Sequence, residues 1–390
     1  MKFALAGYGS RGDVEPLAAV GRELQRRGHG VCIAVPPTMI GFVEAAGLAA
    51  VGYGPDPNTL SAGGTVGGRA NPIMAMVEVM RIYSNALADW GATLTTLGAG
   101  ADALVTPASE RGLAANVAEH QDIPLITLHY YPGGGAGPGG PLGQAASNAA
   151  AAQRHALGLP EQLAPATSAC EIQAYDPICF PGIDAEWAEQ AGRRHFVGAL
   201  TLEAPAEADD EVASWIAQGA PPIYFGFGSN ARVDPVGTVT MIAAVCAELG
   251  ARALVCSGAS GLQPVRGADH VKVVKECNHA ATFPACRAVV HQGGAGTTAA
   301  GLRAGVPTLI LSFPIEDQPV WGAAVERLKV GLGRSFSATT AESLIADLRS
   351  VLTPYYLDRA REVAAQMSAP SQSSARAADL IETAAREHRG

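Results

Sequence analysis

Long apolar runs are missing from this chain of 390 residues. No stretch reaches the ~18 uninterrupted apolar residues of a membrane span. The run Phe3–Ala6 stops before Arg11 and Asp13 and is too short for a secretory signal. These absences predict a cytoplasmic protein without stable membrane insertion. Lysine is scarce, at four of the 27 basic residues, and 36 acidic residues bring the net charge to -9. With no basic stripe, neither nucleic acid nor an anionic membrane surface is an expected partner. Cysteine is thin and ungrouped: Cys32, Cys170, Cys179, Cys246, Cys256, Cys277 and Cys286 form no CxxC pair. That spacing excludes a disulfide framework and a structural zinc site, and it reads as small hydrophobes in a reducing compartment. No GKS or GKT follows a glycine loop, so a Walker P-loop is excluded. No DxD pair stands at a strand end to hold a divalent metal, and Asp209-Asp210 lies in a polar stretch between the two halves.

What is present is a globular composition, 48% apolar and 16% charged. At this length one core is too few, and two or three domains are expected. Short apolar runs alternate with amphipathic stretches, as in βα units around a parallel sheet. Phe3–Ala6, Val31–Val35, Ala103–Val105 and Pro124–Leu128 read as strands, with helices over Val14–Arg27 and Glu110–Gln121. The pattern restarts at Ile223–Phe227 and continues through Ala253–Cys256, Val271–Val274, Ala288–His291 and Thr308–Leu311. Residues 203–211, acidic and with a Pro, read as the linker. Segments 54–70 and 131–143 are long Gly- and Pro-rich loops, which in a compact domain are binding elements or disordered. Residues 355–388 read as helix interrupted near Pro370.

Gly7-Tyr-Gly9-Ser-Arg-Gly12 is a literal GxGxxG between a strand and a helix. A dinucleotide site would also need a carboxylate near the end of the second strand. None follows until Glu44, which argues against that reading. The segment does place Asp13 at a helix N-terminus beyond a strand's carboxyl end, where α/β sheets collect ligand chemistry. Helix capping is the alternative role for it.

His291-Gln-Gly-Gly-Ala-Gly-Thr-Thr298 follows an apolar strand and opens a helix. Bare backbone and first-turn N–H groups suit an anion there, with Thr297, Thr298 and His291 as further donors. Asp317-Gln318-Pro319 stands past the next strand, and a carboxylate beside an amide suits sugar hydroxyls. The alternatives are an N-cap for Asp317 and an edge-of-core histidine for His291.

Together these motifs resemble the GT-B glycosyltransferases of the UDP-glycosyltransferase superfamily, in particular the vancomycin-group antibiotic enzymes. The matching residues are Gly9–Pro16, Phe225–Ser229, Asn278-His279, His291–Thr298, Gly305–Pro307 and Asp317–Pro319. Gln292 departs from the histidine frequent there, and Asn278-His279 replaces the Pro-Gln common elsewhere in the superfamily. The resemblance implies an α/β GT-B fold of two Rossmann-like domains facing across a cleft. An acceptor-binding domain would span 1–203, a linker 204–211, and a nucleotide-sugar domain 212–360. A C-terminal helix, 361–390, would return to the first domain. On the donor side it implies Ser229, Ser257, Lys275, Cys277, Asn278, His291, Gly293, Gly294, Ala295, Gly296, Thr297, Asp317 and Gln318. Asp13 would be the catalytic base. Ser10, Arg11, Met74, Met76, His129, Tyr130 and Tyr131 would lie on the acceptor side, with His129 as the reserve base; the alternatives are a buried core for the methionines and a cleft-lining or capping side chain for His129.

The expected reaction is inverting transfer of a hexose from a dTDP- or UDP-sugar to a hydroxyl of a bulky natural product, such as a glycopeptide or polyketide aglycone. Neither a metal nor a cofactor is expected, because helix dipole and backbone donors would stabilise the leaving diphosphate. A monomer or weak homodimer is expected. Transfer to a cell-envelope lipid, a sugar-nucleotide epimerase or hydrolase, and a silent binding homologue are the competing readings.

Overall fold

In a computed structural model of the chain, thirteen short strands among the described residues form two all-parallel sheets. Described are residues 1–56, 72–133, 140–161, 168–183, 187, 192–228, 234–314 and 317–390, side chains of 72–80 and 140–142 excepted. The first sheet holds β1 (Lys2–Ala6), β2 (Gly30–Val35), β3 (Ala49–Gly52), β4 (Ala103–Pro107), β5 (Leu125–His129), β6 (Cys170–Gln173) and β7 (Arg194–Phe196). Its order is β3-β2-β1-β4-β5-β6-β7. The second holds β8 (Ile223–Gly226), β9 (Ala253–Cys256), β10 (Val271–Val274), β11 (Ala288–His291), β12 (Thr308–Ser312) and β13 (Gly331–Ser335), ordered β10-β9-β8-β11-β12-β13. Helices link most successive strands, so the central strands are covered on both faces and read as apolar runs, while the edge strands β3, β7, β10 and β13 are only partly buried. β4 and β11 are buried at every position.

Both orders reverse once, between β1 and β4 in the first sheet and between β8 and β11 in the second. Such switch points open a crevice beyond the strands' carboxyl ends. The register sets Leu5 against Val105 and Val290 against Phe225. Gly7–Asp13 and Pro107–Glu110 therefore flank one crevice, and Phe227-Gly228 and His291–Gly294 flank the other.

The first sheet belongs to a unit of Met1–Tyr175, Gly182–Leu202 and Pro370–Gly390, and the second to Asp176–Pro181 with Glu203–Ala369. Two boundaries differ from the sequence reading. The acidic end of the expected linker is helical, because Asp209, Asp210 and Glu211 form the first turn of Asp209–Ala217, where the dipole favours carboxylates. The returning segment starts at Pro370 rather than 361, since the helix Pro354–Ala364 packs on Ala295–Ala304 of the second unit. The helix Pro370–Arg389 lies on the helix Arg11–Arg26 and buries Ala377, Ala378, Ile381 and Ala385. Arg27 ties it down through Asp379 at 2.7 Å and Glu382 at 3.1 Å.

Candidate functional site

In the first unit the chain leaves β1 through Gly7–Ser10 and enters the helix Arg11–Arg26, three residues earlier than its periodicity suggests. Asp13 is thus in the first helical turn. Its Oδ2 accepts the Ser10 backbone N–H at 2.7 Å and the Ser10 hydroxyl at 3.2 Å. This is the reciprocal half of a capping box. Burial raises the Asp13 carboxyl above the usual carboxylate range, and the Ser10 bonds pull the other way. Gly9, at φ 147°, is required by that carboxylate: a Cβ there would sit 2.1 Å from Asp13 Oδ2. The second glycine of the GxGxxG makes room for a side chain, not for a pyrophosphate.

Across the same switch point stands Glu110, which the sequence reading takes as the start of a helix. The helix begins at Arg111 instead, and the Glu110 side chain turns inward at 9% exposure. Its Oε1 accepts the Tyr8 N–H at 2.7 Å and its Oε2 the Tyr53 hydroxyl at 2.6 Å. Burial pushes its carboxyl up to about 7, with the charge of Asp13 acting in the same direction. Tyr8, Tyr53, Tyr83 and Trp90 wall this corner, with Trp90 4.5 Å from Tyr8 and 5.9 Å from Tyr53, centroid to centroid. The signal that could have found Glu110 was its place, a carboxylate just past a buried strand.

The other acceptor-side residues divide. The Tyr130 hydroxyl donates to the Asp13 carbonyl at 3.1 Å, which brings it to the same corner. Ser10 is exposed and engaged with Asp13. Arg11 bonds Glu15 at 2.8 Å and lies over Phe42, serving the helix surface. His129 is buried beside Thr127 at 3.4 Å and 3.8 Å from Glu171, so it is built into the sheet end. Tyr131 is half-buried next to Tyr130. Met74 and Met76 fall on the helix Pro72–Gly98, their side chains outside the described residues. Between this helix and Gly140–Ala156 opens a cavity of about 800 Å³, lined mainly by Leu87, Ala88, Gly91, Ala145, Ala149 and Ala152.

In the second unit, β11 ends at His291, which is fully buried. Its Nδ1 accepts the Gly293 N–H at 3.0 Å, so Nε2 carries the proton. Nε2 has no partner, a buried donor left unsatisfied. Burial pushes the imidazole down to about 3, with His279 adding to the effect, so it is neutral. A satisfied core histidine would not leave that N–H orphaned. The helix Ala295–Ala304 starts from Gly294 without a side-chain cap, so its first amides point outward. Gly293, at φ 99°, lies so close to Gln318 that a Cβ would meet its carbonyl at 3.0 Å. Gly296 is exposed, and Ala295 and Thr297 are half-buried. Thr298 contributes no donor, because its hydroxyl bonds the Gly294 carbonyl at 2.9 Å.

Asp317 opens the helix Asp317–Leu328. Gln318 is buried, and its Oε1 accepts the Phe313 N–H at 2.9 Å, leaving the amide N–H groups as donors. Four further residues expected on the donor side have structural surroundings of their own. Asn278 caps the helix His279–Thr282 through Ala280 at 3.0 Å, and its N–H meets Asp209 at 2.7 Å. Cys277 is buried against Cys256. Ser257 is buried, its carbonyl taken by Ser260, and Lys275 is exposed while its carbonyl accepts the Gly258 N–H. Ser229 lies outside the described residues. Among the described residues no three His, Cys, Asp or Glu side chains converge as metal ligands, and no helix is long and apolar enough to cross a membrane.

Known proteins match both units. Residues 3–132 match the glycosyltransferase family 28 N-terminal domain, and residues 242–383 the erythromycin biosynthesis protein CIII-like C-terminal domain. The chain is 52% identical, over all of both chains, to the uncharacterized glycosyltransferase Rv1524 of Mycobacterium tuberculosis. It is 30% identical to glycosyltransferase GtfE of Amycolatopsis orientalis, over 100% of this chain and 99% of the other. Among solved structures it resembles the glycotransferase of kitacinnamycin, with TM-score 0.75 at 19% identity and 98% of each chain covered. Glycosyltransferase VinC in complex with dTDP gives TM-score 0.69 at 18% identity over 100% of both chains. The structural likeness shows the GT-B fold.

Proposed function

This chain belongs to the GT-B glycosyltransferases of the UDP-glycosyltransferase superfamily, and on that premise we propose its reaction. It moves a hexose from a dTDP- or UDP-sugar to a hydroxyl of a bulky, partly apolar acceptor, with inversion and without a metal. The observation that carries this reading is the set of unused donors beyond β11. There the His291 N–H at the end of β11 is orphaned, and the helix Ala295–Ala304, four residues on, starts with uncapped amides. Such donors stabilise an anion whose charge grows in the transition state, which a departing diphosphate is. That VinC was solved with dTDP is consistent with a nucleotide donor.

Asp13 takes the proton from the acceptor hydroxyl as that oxygen attacks the anomeric carbon. The Ser10 N–H and hydroxyl orient its carboxylate, and burial makes it a stronger base than a solvated aspartate. Asp317 and the Gln318 amide suit sugar hydroxyls. The alanine-lined cavity of about 800 Å³ fits an acceptor with an apolar part. Asp13→Ala is expected to lower kcat ~10²–10⁴-fold while diphosphate affinity is kept, and EDTA to leave transfer unchanged. Near-normal turnover of Asp13→Ala would sink the base assignment.

A further inference from the structure

Glu110 is a costly residue to keep where it is. A carboxylate at 9% exposure loses most of its hydration. A structural role would be served more cheaply by an amide or by an apolar side chain without polar demands. What its two oxygens do is specific. Oε1 fastens Tyr8, one residue past the Gly7 of the turn that delivers Asp13, and Oε2 is held by Tyr53. The turn is closely packed: a Cβ on Gly7 would lie 2.4 Å from Leu17 Cδ1 and in ordinary contact with Pro107, at the end of β4, at 3.4 Å and with the Asp13 carbonyl at 3.5 Å. The β1 and β4 ends are thus packed together, and Asp13 and Glu110 are within electrostatic reach of each other.

We propose that Glu110 is a positioning residue for the reaction, fastening the turn that carries Asp13 and setting a second carboxylate beside it. This rests on the reading of Asp13 as base. Two neighbouring carboxylates compete to stay ionised, so ionising Glu110 raises the affinity of Asp13 for the acceptor's proton. Glu110 titrates at about 7, so transfer rises as pH passes through that point. Among the described residues, the titratable groups facing Glu110 are Tyr8, Asp13, Tyr53, Tyr83 and Tyr130. Asp56 lies near Tyr8, and the adjoining Arg111 is 3.8 Å from Glu171. The tyrosines are all pushed upward by burial and stay neutral through this range.

The test needs no known substrate at first. Trp90 emission of the full chain, isolated by subtracting the Trp90→Phe signal, is titrated with pH. The wild type is expected to show a midpoint near 7. Glu110→Gln removes it, Asp13→Asn moves it down because a repelling charge is gone, and Tyr53→Phe moves it up because a bond to the ionised form is gone. Turnover of UDP-glucose or dTDP-glucose is then followed with a naphthol acceptor that stays protonated over the range. Glu110→Gln should lose the rise through the midpoint and about tenfold in kcat, with donor KM unchanged. A titration that Asp13→Asn leaves unmoved overturns the proposal, as does a Glu110→Gln profile that keeps the wild-type midpoint. If Asp13→Asn shifts the titration yet keeps its turnover, the base reading fails and takes the catalytic sense of the proposal with it.

Discussion

Two glycines of one motif should respond in opposite ways to a single methyl group. At Gly9, φ is 147° and an added Cβ would stand 2.1 Å from Asp13 Oδ2 and 2.5 Å from its Cγ. Contacts of about 3.5 Å are the relaxed distance, so the carboxylate must swing away by more than 1 Å. That breaks its bond from the Ser10 N–H, now 2.7 Å. A charged hydrogen bond is worth about 1.5–3 kcal/mol, and the left-handed backbone costs a β-carbon about 1–2 kcal/mol. Gly9→Ala should therefore lose roughly 3–5 kcal/mol and melt roughly 10 °C lower. A base displaced by 1 Å should also cost about 10²-fold in kcat. At Gly12 an added Cβ would meet the Ser10 hydroxyl at 3.8 Å and, among the described residues beyond its chain neighbours and its own helix backbone, nothing else within 4 Å. Gly12→Ala should hold its melting temperature or gain by up to about 1 kcal/mol, with kcat unchanged. Paired melting curves and transfer rates decide the matter. Equal damage at both positions would refute the reasoning, because a dinucleotide fingerprint needs its third glycine for helix packing.

Gly293→Ala should weaken dTDP or UDP binding at least tenfold and lower the melting temperature by several degrees. Its Cβ would meet Ile310 at 2.9 Å and the Gln318 backbone at 3.0 Å, and φ is 99°. Unchanged affinity in a titration would count against the glycine loop as the diphosphate site. Glu23, held at about 2 by hydrogen bonds from Arg26 and Arg27, stabilises the fold above its unfolded pKa of about 4.3. Screening at this half-buried surface cluster leaves about 1 kcal/mol. The urea stability gap between wild type and Glu23→Gln should shrink as pH falls from 5 toward 3, and a gap independent of pH would contradict it.

Much of the second unit's candidate site is legible in the sequence because its proposed chemistry is local. An apolar strand, a glycine run and a helix with no cap are neighbours in sequence, so His291–Thr298 announces itself. The role of Thr298 was lost because a hydroxyl at helix position four can turn back to the Gly294 carbonyl, which composition does not disclose. Asn278 could be seen as notable but not as a cap, since its partners include Asp209, 69 residues away. The first unit's corner was harder. Asp13 was legible from its place after β1, whereas Glu110 resembled an ordinary acidic helix start. Only the parallel pairing of β1 with β4 brings it to Tyr8, 102 residues distant. Tyr53 and Trp90 join the same corner from two further elements, and no periodicity encodes that meeting.

The central claim, a diphosphate-sugar site at the end of β11, is tested most directly by isothermal titration. UDP and dTDP are titrated into the wild type and into His291→Ala, with EDTA present and with folding checked by melting. One or both nucleotides should bind the wild type without metal. Removal of the His291 N–H should weaken that binding by about 1.5–3 kcal/mol, roughly 10- to 100-fold. Failure of both nucleotides to bind, or equal affinity in the folded variant, would contradict the account.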